Sequence, residues 1–293
     1  MAALLSTACG HRASGDTAEG DSIAADSLRP FMVDSIGLVR DDSAVNVRVS
    51  IDWPSGSNDS LVASIRQYIC EELATGLTIE GKPDVIIYSD GRTAVDSTVG
   101  KHYAWLMSGY QESKSYGTLY DGMQFSYSLR MAKVAETDRY VTYITNSEGF
   151  QGGAHGYATA AGQTFRKSDG LRIGYRTEFN RQTLQYDVLD QTLFSNPQSP
   201  RLAALIKEGV RSYFQEFQDS TITDDDLLGM LQNVSSVDSI PLPSAPPYFM
   251  PQGLCFVYQQ YEIACYAAGM INFDISYDKI RPLLTKEASR LIR

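Results

Sequence analysis

His155 and Glu262 are the two residues whose settings could support chemistry. His155 lies in Phe150-Gln151-Gly152-Gly153-Ala154-His155-Gly156, and Glu262 in Tyr261-Glu262-Ile263-Ala264-Cys265-Tyr266-Ala267-Ala268-Gly269. An imidazole that titrates near neutrality serves as a general base or a metal ligand, and a carboxylate can be its acid–base partner. Both roles need convergent groups at a defined separation. The only other histidines are His11 and His102, and nothing in the spacing brings His155 to Glu262. The glycines give a different reading. Gly152, Gly153 and Gly156 mark a backbone path open to positive φ or to close approach at a strand end, where His155 pins the turn by hydrogen bonding. Glu262 would likewise accept backbone amides and lock the later aromatic corner. We carry this architectural reading forward and assign no catalytic residue.

Other chemical candidates fall away on inspection. Thr223-Asp224-Asp225-Asp226 lacks the alternating ligands, central glycine and terminal glutamate of a calcium loop, and reads as a helix N-terminus, where Thr caps free amides and acids complement the dipole. No Cys-x-x-Cys pair supports zinc, and Cys255 and Cys265 could pair if their strands face one another, leaving Cys70 as a buried helix thiol. Neither a Gly-x-Ser-x-Gly elbow nor a phosphate-cradling Gly-x-x-x-x-Gly-Lys loop occurs, so no cofactor is expected. A formal net charge of -10 disfavours nucleic acid and anionic lipid and makes a cationic partner electrostatically easier.

The elements that must position these residues follow from periodicity. Val45 to Trp53 alternates apolar and polar residues, as a half-buried strand does. After a cap at Asn58 or Ser60, Leu61, Ile65, Ile69 and Leu73 form a helical stripe ending at Gly76. A second helix is expected over Thr93 to Ser113, with Val95, Val99, Tyr103, Leu106 and Tyr110 on one face. From Met123 the period returns to two, giving a hairpin with its turn near Glu136 to Arg139 and a further strand over Tyr157 to Phe165. Leu202 to Phe217 is an amphipathic helix, Pro241 to Pro251 an extended connector, and Leu254 to Tyr258 an apolar strand. A strand over Ile271 to Ser276 and a helix over Asp278 to Ile292, beginning near Pro282, close the chain. Helices and antiparallel strands in segregated runs predict an α+β fold.

No stretch approaches eighteen apolar residues, so no spanning helix is expected. Met1 to Cys9 looks like the end of a secretory segment running into a bacterial lipobox, although Ser6 stands where Leu is usual and the basic leader is missing, so that either the true start lies upstream or the sequence is clipped. On this reading a lipid on Cys9 is the only membrane contact. Gly10 to Pro30, poor in large apolar residues, reads as a flexible tether.

The glycine string after a Tyr-rich hairpin, then Gly253-Leu254-Cys255-Phe256-Val257-Tyr258 and the Tyr261 to Gly269 segment, resemble the paired extracytoplasmic domains of lysozyme-sensing anti-sigma factors of the RsiV type. The first of these is also similar to the N-terminal module of some peptidoglycan deacetylases. Cys265 departs from the proline common at that place. The resemblance implies a tether over 1–30, one α+β module over 31–167 and a second over 168–293. It also implies a lipid-anchored, non-catalytic envelope module whose ligand is a protein, with lysozyme-like proteins as the candidate, or a cell-wall glycan. The residues expected to form the binding or structural motif are Gly152, Gly153, His155, Gly156, Tyr261, Glu262, Tyr266 and Gly269. The quoted segments include neither a sigma-binding helix nor a deacetylase domain, so those activities do not transfer. The rival expectation is a peptidoglycan- or polysaccharide-processing enzyme, which would cluster His155, Glu262 and further acids in one pocket.

Overall fold

The computed structural model describes residues 31–292 apart from 57, 76–83, 181, 183, 184 and 219. The lipobox-like segment with Cys9 and the tether lie outside the described residues. The fold is α+β, built on one large sheet and two small ones. Strands β1 (Met32–Asp41), β2 (Val45–Ser55), β3 (Phe125–Glu136), β4 (Tyr140–Phe150), β5 (Tyr157–Arg166) and β6 (Arg172–Ile173) lie side by side in chain order. Every neighbouring pair is antiparallel except β2 and β3, which are parallel. A parallel pair needs a long crossover. Helices α1 (Asp59–Thr75) and α2 (Gly91–Ser115) lie within that crossover and cover one face of the sheet.

The alternation along β2 and β3 decides which side chains meet those helices. Val45, Val47, Val49 and Ile51, with Phe125, Tyr127, Leu129 and Met131, point inward and are almost fully buried. Leu61, Ile65, Ile69 and Leu73 of α1 meet them, as their fourfold spacing predicts. Asn58 is the cap: its side chain accepts from the Leu61 amide at 3.0 Å and donates to the Lys167 carbonyl at 2.6 Å, tying α1 to the turn after β5. Helix α2 begins earlier than expected because Asp90 caps it, accepting from Thr93 N at 2.8 Å. Its buried stripe also differs: His102 takes the core position, while half-buried Tyr103 lies under the Arg40 guanidinium and donates to Asp42.

The opposite face of the sheet is partly covered by the second half of the chain. Strands β7 (Arg176–Asn180) and β8 (Gln185–Leu189) form a ribbon. Helix α3 (Pro200–Gln215) packs Leu202, Ile206 and Val210 into a second core, and α4 (Asp224–Met230) starts at the expected Thr223 cap, which forms a reciprocal capping box with Asp226. Strand β9 (Tyr248–Met250) emerges from the proline-rich connector as the edge of a sheet with β10 (Gly253–Tyr258) and β11 (Ile271–Ser276). Two features dock β9 onto the large sheet. A side chain at Gly162 would overlap the Tyr248 ring, its Cβ falling 2.1 Å from ring carbon Cδ1. Beside it, buried Thr142 donates to the Phe249 carbonyl at 2.8 Å, and the Phe249 amide donates to Thr164 Oγ1 at 2.9 Å.

Two expectations are corrected here. The terminal helix is broken into α5 (Tyr277–Ile280), a 3-10 turn at Arg281–Leu283 and α6 (Lys286–Ser289). Pro282 has no amide to donate and its ring clashes with the preceding turn, so the helix cannot run through it. Leu284 is extended and bridges Phe194, and Thr285 caps the next turn from Ala288 N at 3.1 Å. Cys255 and Cys265 do not pair: Cys70, Cys255 and Cys265 are all free thiols. Cys255 sits on β10 opposite Tyr248, and burial pushes its thiol up to about 12. No helix among the described residues is long and apolar enough to cross a membrane.

His102 supplies a pH test of this core. Its ring is fully buried and stacks flat on Tyr127, with centroids 3.8 Å apart and planes 7° apart, and neither ring nitrogen has a hydrogen-bond partner among the described residues. Burial lowers its pKa from 6.5 to about 4. The unfolded chain therefore takes up a proton before the folded one does. The stability His102 contributes is complete above the unfolded value and is lost as pH falls towards about 4. Partly buried Glu72, raised to about 7 by burial, works in the opposite direction, so wild type must be compared with a variant rather than read alone. Between about pH 7 and about pH 4, denaturant unfolding should show wild type losing about 3 kcal/mol relative to His102→Phe. A constant difference between the two proteins would mean that His102 is not a neutral core ring.

Candidate functional site

Strand β4 ends in the glycine corner because no other residue fits the path. Gly152 and Gly153 have φ of 88° and 86°, in the left-handed region that favours glycine. A Cβ on Gly156 would lie 2.5 Å from the Gly149 carbonyl oxygen. The turn carries His155 outward, where Nδ1 donates to the Gly156 carbonyl at 2.8 Å. That bond leaves Nε2 as the acceptor, and the Tyr261 hydroxyl lies 3.3 Å from it. The imidazole also stacks on Tyr266, with centroids 3.8 Å apart and planes at 23°, while the Tyr266 hydroxyl donates to the same Gly156 carbonyl at 3.1 Å. The two corners singled out in the sequence thus meet, although more than a hundred residues separate them.

Glu262 supports this meeting from behind. One carboxylate oxygen accepts from Ser244 N at 2.5 Å and the other from Gln259 N at 2.8 Å. Burial raises its pKa, and the two amides oppose that shift. No hydrogen bond joins Glu262 to His155. Ordered in this way, Gln259 and Gln260 reach across to β5: the Ala160 amide donates to Gln259 Oε1 at 3.0 Å, Gln259 Nε2 donates to the Ala160 carbonyl at 2.7 Å, and the Ala158 amide donates to Gln260 Oε1 at 3.2 Å. Side-chain amides here satisfy a strand edge that would otherwise present free backbone groups. The 3-10 turn at Tyr266–Ala268 ends at Gly269, with φ of 71°, and the Tyr213 hydroxyl donates to the Ala268 carbonyl at 2.6 Å.

Both nitrogens of His155 and both oxygens of Glu262 are thus engaged within the corner. Among the described residues no group of three or more His, Cys, Asp or Glu is placed to hold a metal. What the corner offers instead is aromatic surface. Tyr261 is 54% exposed, and its φ of 65° is a conformation that L-residues with side chains rarely adopt. Beside it runs a groove of about 410 Å³ lined by Arg48, Ser126, Ser128, Glu148, Tyr157 and Tyr266. Sequence reasoning picked out none of these except Tyr266. A larger cleft of about 830 Å³ lies at the start of α1, but Arg166 is held there by Asp169, Lys167 by Glu136, and Arg139 by the Arg290 carbonyl.

Comparison with known proteins bears on the half of the chain that carries the late corner. Residues 191–278 match the family model described as Protein of unknown function (DUF3298). The match lies within the second half of the chain. It runs from before α3 into α5 and contains the Tyr261 to Gly269 corner, but not the glycine corner. No curated protein matches this sequence. Among solved structures, a DUF3298-family member from Bacteroides fragilis is similar at a TM-score of 0.64 and 17% identity, covering 88% of this chain and 95% of that one. A DUF3298-family protein from Pseudomonas aeruginosa is similar at 0.52 and 11%, covering 89% and 96%. These likenesses establish the shared fold, which spans both halves of the chain.

The role of Glu262 can be tested by removing its oxygens one at a time. Glu262→Ala leaves two amides without acceptors and should destabilise the fold by about 2–4 kcal/mol in chemical denaturation, while Glu262→Gln, retaining one acceptor, should fall between it and wild type. Unchanged stability in Glu262→Ala would show that the carboxylate is not holding the corner.

Proposed function

We propose that the protein is a non-catalytic binding module of the cell envelope, and that its ligand, a protein or a cell-wall glycan, is gripped where the glycine and aromatic corners meet. The observation that carries this reading is Tyr261, exposed and held at positive φ with its hydroxyl against His155. Backbone strain of this kind costs stability and persists where the surroundings impose it, often at ligand clamps. The net charge of -10 suits a cationic partner, and the resemblance to lysozyme-sensing modules makes lysozyme-like proteins the first candidate. Envelope location rests on the lipobox-like run to Cys9, with its lipid as the membrane contact. A polysaccharide-processing enzyme would need a free acid close to His155, and Glu262 is instead occupied by backbone amides.

Lysozyme titration by calorimetry should show binding at low salt that weakens at about 0.15 M, as expected for an acidic surface meeting a basic one. Tyr261→Gly relieves the strained backbone, so it should fold at least as stably as wild type, by up to about 1 kcal/mol, while binding roughly tenfold more weakly. Absence of binding at low salt would remove lysozyme as the ligand. Equal affinity in Tyr261→Gly would remove the corner as the contact surface.

A further inference from the structure

The uncovered part of the outer sheet face has a constructed cross-section. In the ladder register Arg48 stands beside Ser128, Ser128 beside Glu148, and Glu148 beside Ala158. Their side chains share the face opposite the helices, because Val47, Val49, Tyr127 and Leu129 between them point inward. The result is a trough along β3 with small serines, Ser126 and Ser128, as its floor. Arg48 forms one wall and Glu148 the other, about 10 Å apart at the backbone since two strand spacings separate them. Tyr266 closes one end, while the Tyr157 ring lies on the other face of the sheet, over Gly149. The Arg48 and Glu148 side chains form no ion pair or hydrogen bond with any described residue.

From this arrangement we infer that the groove binds a neutral saccharide, an oligosaccharide of pyranose rings. The inference rests on the reading of the protein as a binding module and names its ligand class. The chemistry of the lining points there. Arg48 supplies only donors, Glu148 only acceptors, and the serine hydroxyls supply both, which is the mixture that hydroxyl, ring and glycosidic oxygens require. Tyr266 adds an amphipathic ring that can lie against the apolar face of a sugar ring while its hydroxyl stays on the Gly156 carbonyl. One cation and one anion leave the groove neutral within a chain of net charge -10, which disfavours a polyanion. A peptide adding as a strand needs a free sheet edge, and this is a sheet face whose backbone groups are already paired.

The test uses the full chain and three soluble probes: the tetrasaccharide of N-acetylglucosamine, tetragalacturonate as an anionic sugar, and tetra-alanine. Amide chemical-shift titration should show saturable binding of the neutral tetrasaccharide, with shifts centred on Ser126, Ser128 and Glu148, and weaker binding or none for the other two. Arg48→Ala and Glu148→Ala alter solvent-facing side chains, so both should keep the wild-type melting temperature while weakening the neutral sugar roughly tenfold. Ser128→Trp, which fills the floor, should abolish it. No saturable binding of the neutral sugar, tighter binding of tetragalacturonate or of tetra-alanine, or unchanged affinity in Arg48→Ala and Glu148→Ala would overturn the inference. If lysozyme binding that depends on Tyr261 survives such a failure, only the saccharide assignment falls. If lysozyme and sugar both fail to bind, the binding-module reading falls with it.

Discussion

Two threonine hydroxyls buried between the large sheet and β9 fix the relation of the two halves of this protein. Thr142 and Thr164 lie 2.9 Å apart on neighbouring strands and exchange hydrogen bonds with the backbone of Phe249. Buried polar groups are costly when unpaired, so only one docking of β9 satisfies them all. The missing side chain at Gly162 makes the same demand sterically, since it leaves a seat that the Tyr248 ring fills. Apolar packing alone would tolerate β9 sliding along the sheet, whereas these directional bonds do not.

Everything at the candidate site follows from that docking. With β9 fixed, β10 delivers Gln259 and Gln260 to the edge of β5, and Glu262 holds Gln259 in place through its amide. The end of β5 that is anchored in this way is the end that leaves the glycine corner, so His155 arrives beneath Tyr266 and beside Tyr261. The late corner lies within the residues that match the DUF3298 model and the glycine corner lies outside them, so their junction draws on both halves of the chain. The surface assembled from both halves is tied by hydrogen bonds on the β5 side and strained at Tyr261.

Much of this was legible in the residues because local physics dictated it. The alternation of Val45 to Trp53, the stripe of Leu61, Ile65, Ile69 and Leu73, and the cap at Thr223 each depend on neighbours close in sequence. The backbone role of Glu262 also followed from its isolation from other acids. What escaped depends on contacts distant along the chain. Strand β1 shows little burial, with Met32 and Val39 exposed, and so carries a weak periodic signal. The parallel pairing of β2 with β3 cannot be read from either strand by itself. Nor can the alignment of Arg48, Ser128 and Glu148, which in sequence are merely polar positions of alternating strands. Gln259 and Gln260 read as turn residues, and only the docking of β9 turns them into partners of a strand edge. Pro282 carried a local signal that the terminal helix would be interrupted, and the break is sharper than a displaced helix start.

The most direct test of this account is native-state hydrogen exchange at the Ala158 and Ala160 amides. Both point away from β4 and are held only by side-chain carbonyls of Gln260 and Gln259. If the two corners form one fixed surface, these amides should open only with the sheet itself, with protection close to that of the β4–β5 ladder. Exchange at the rate of an unprotected edge strand would contradict the account, because the late corner would then be resting on the sheet without being bound to it.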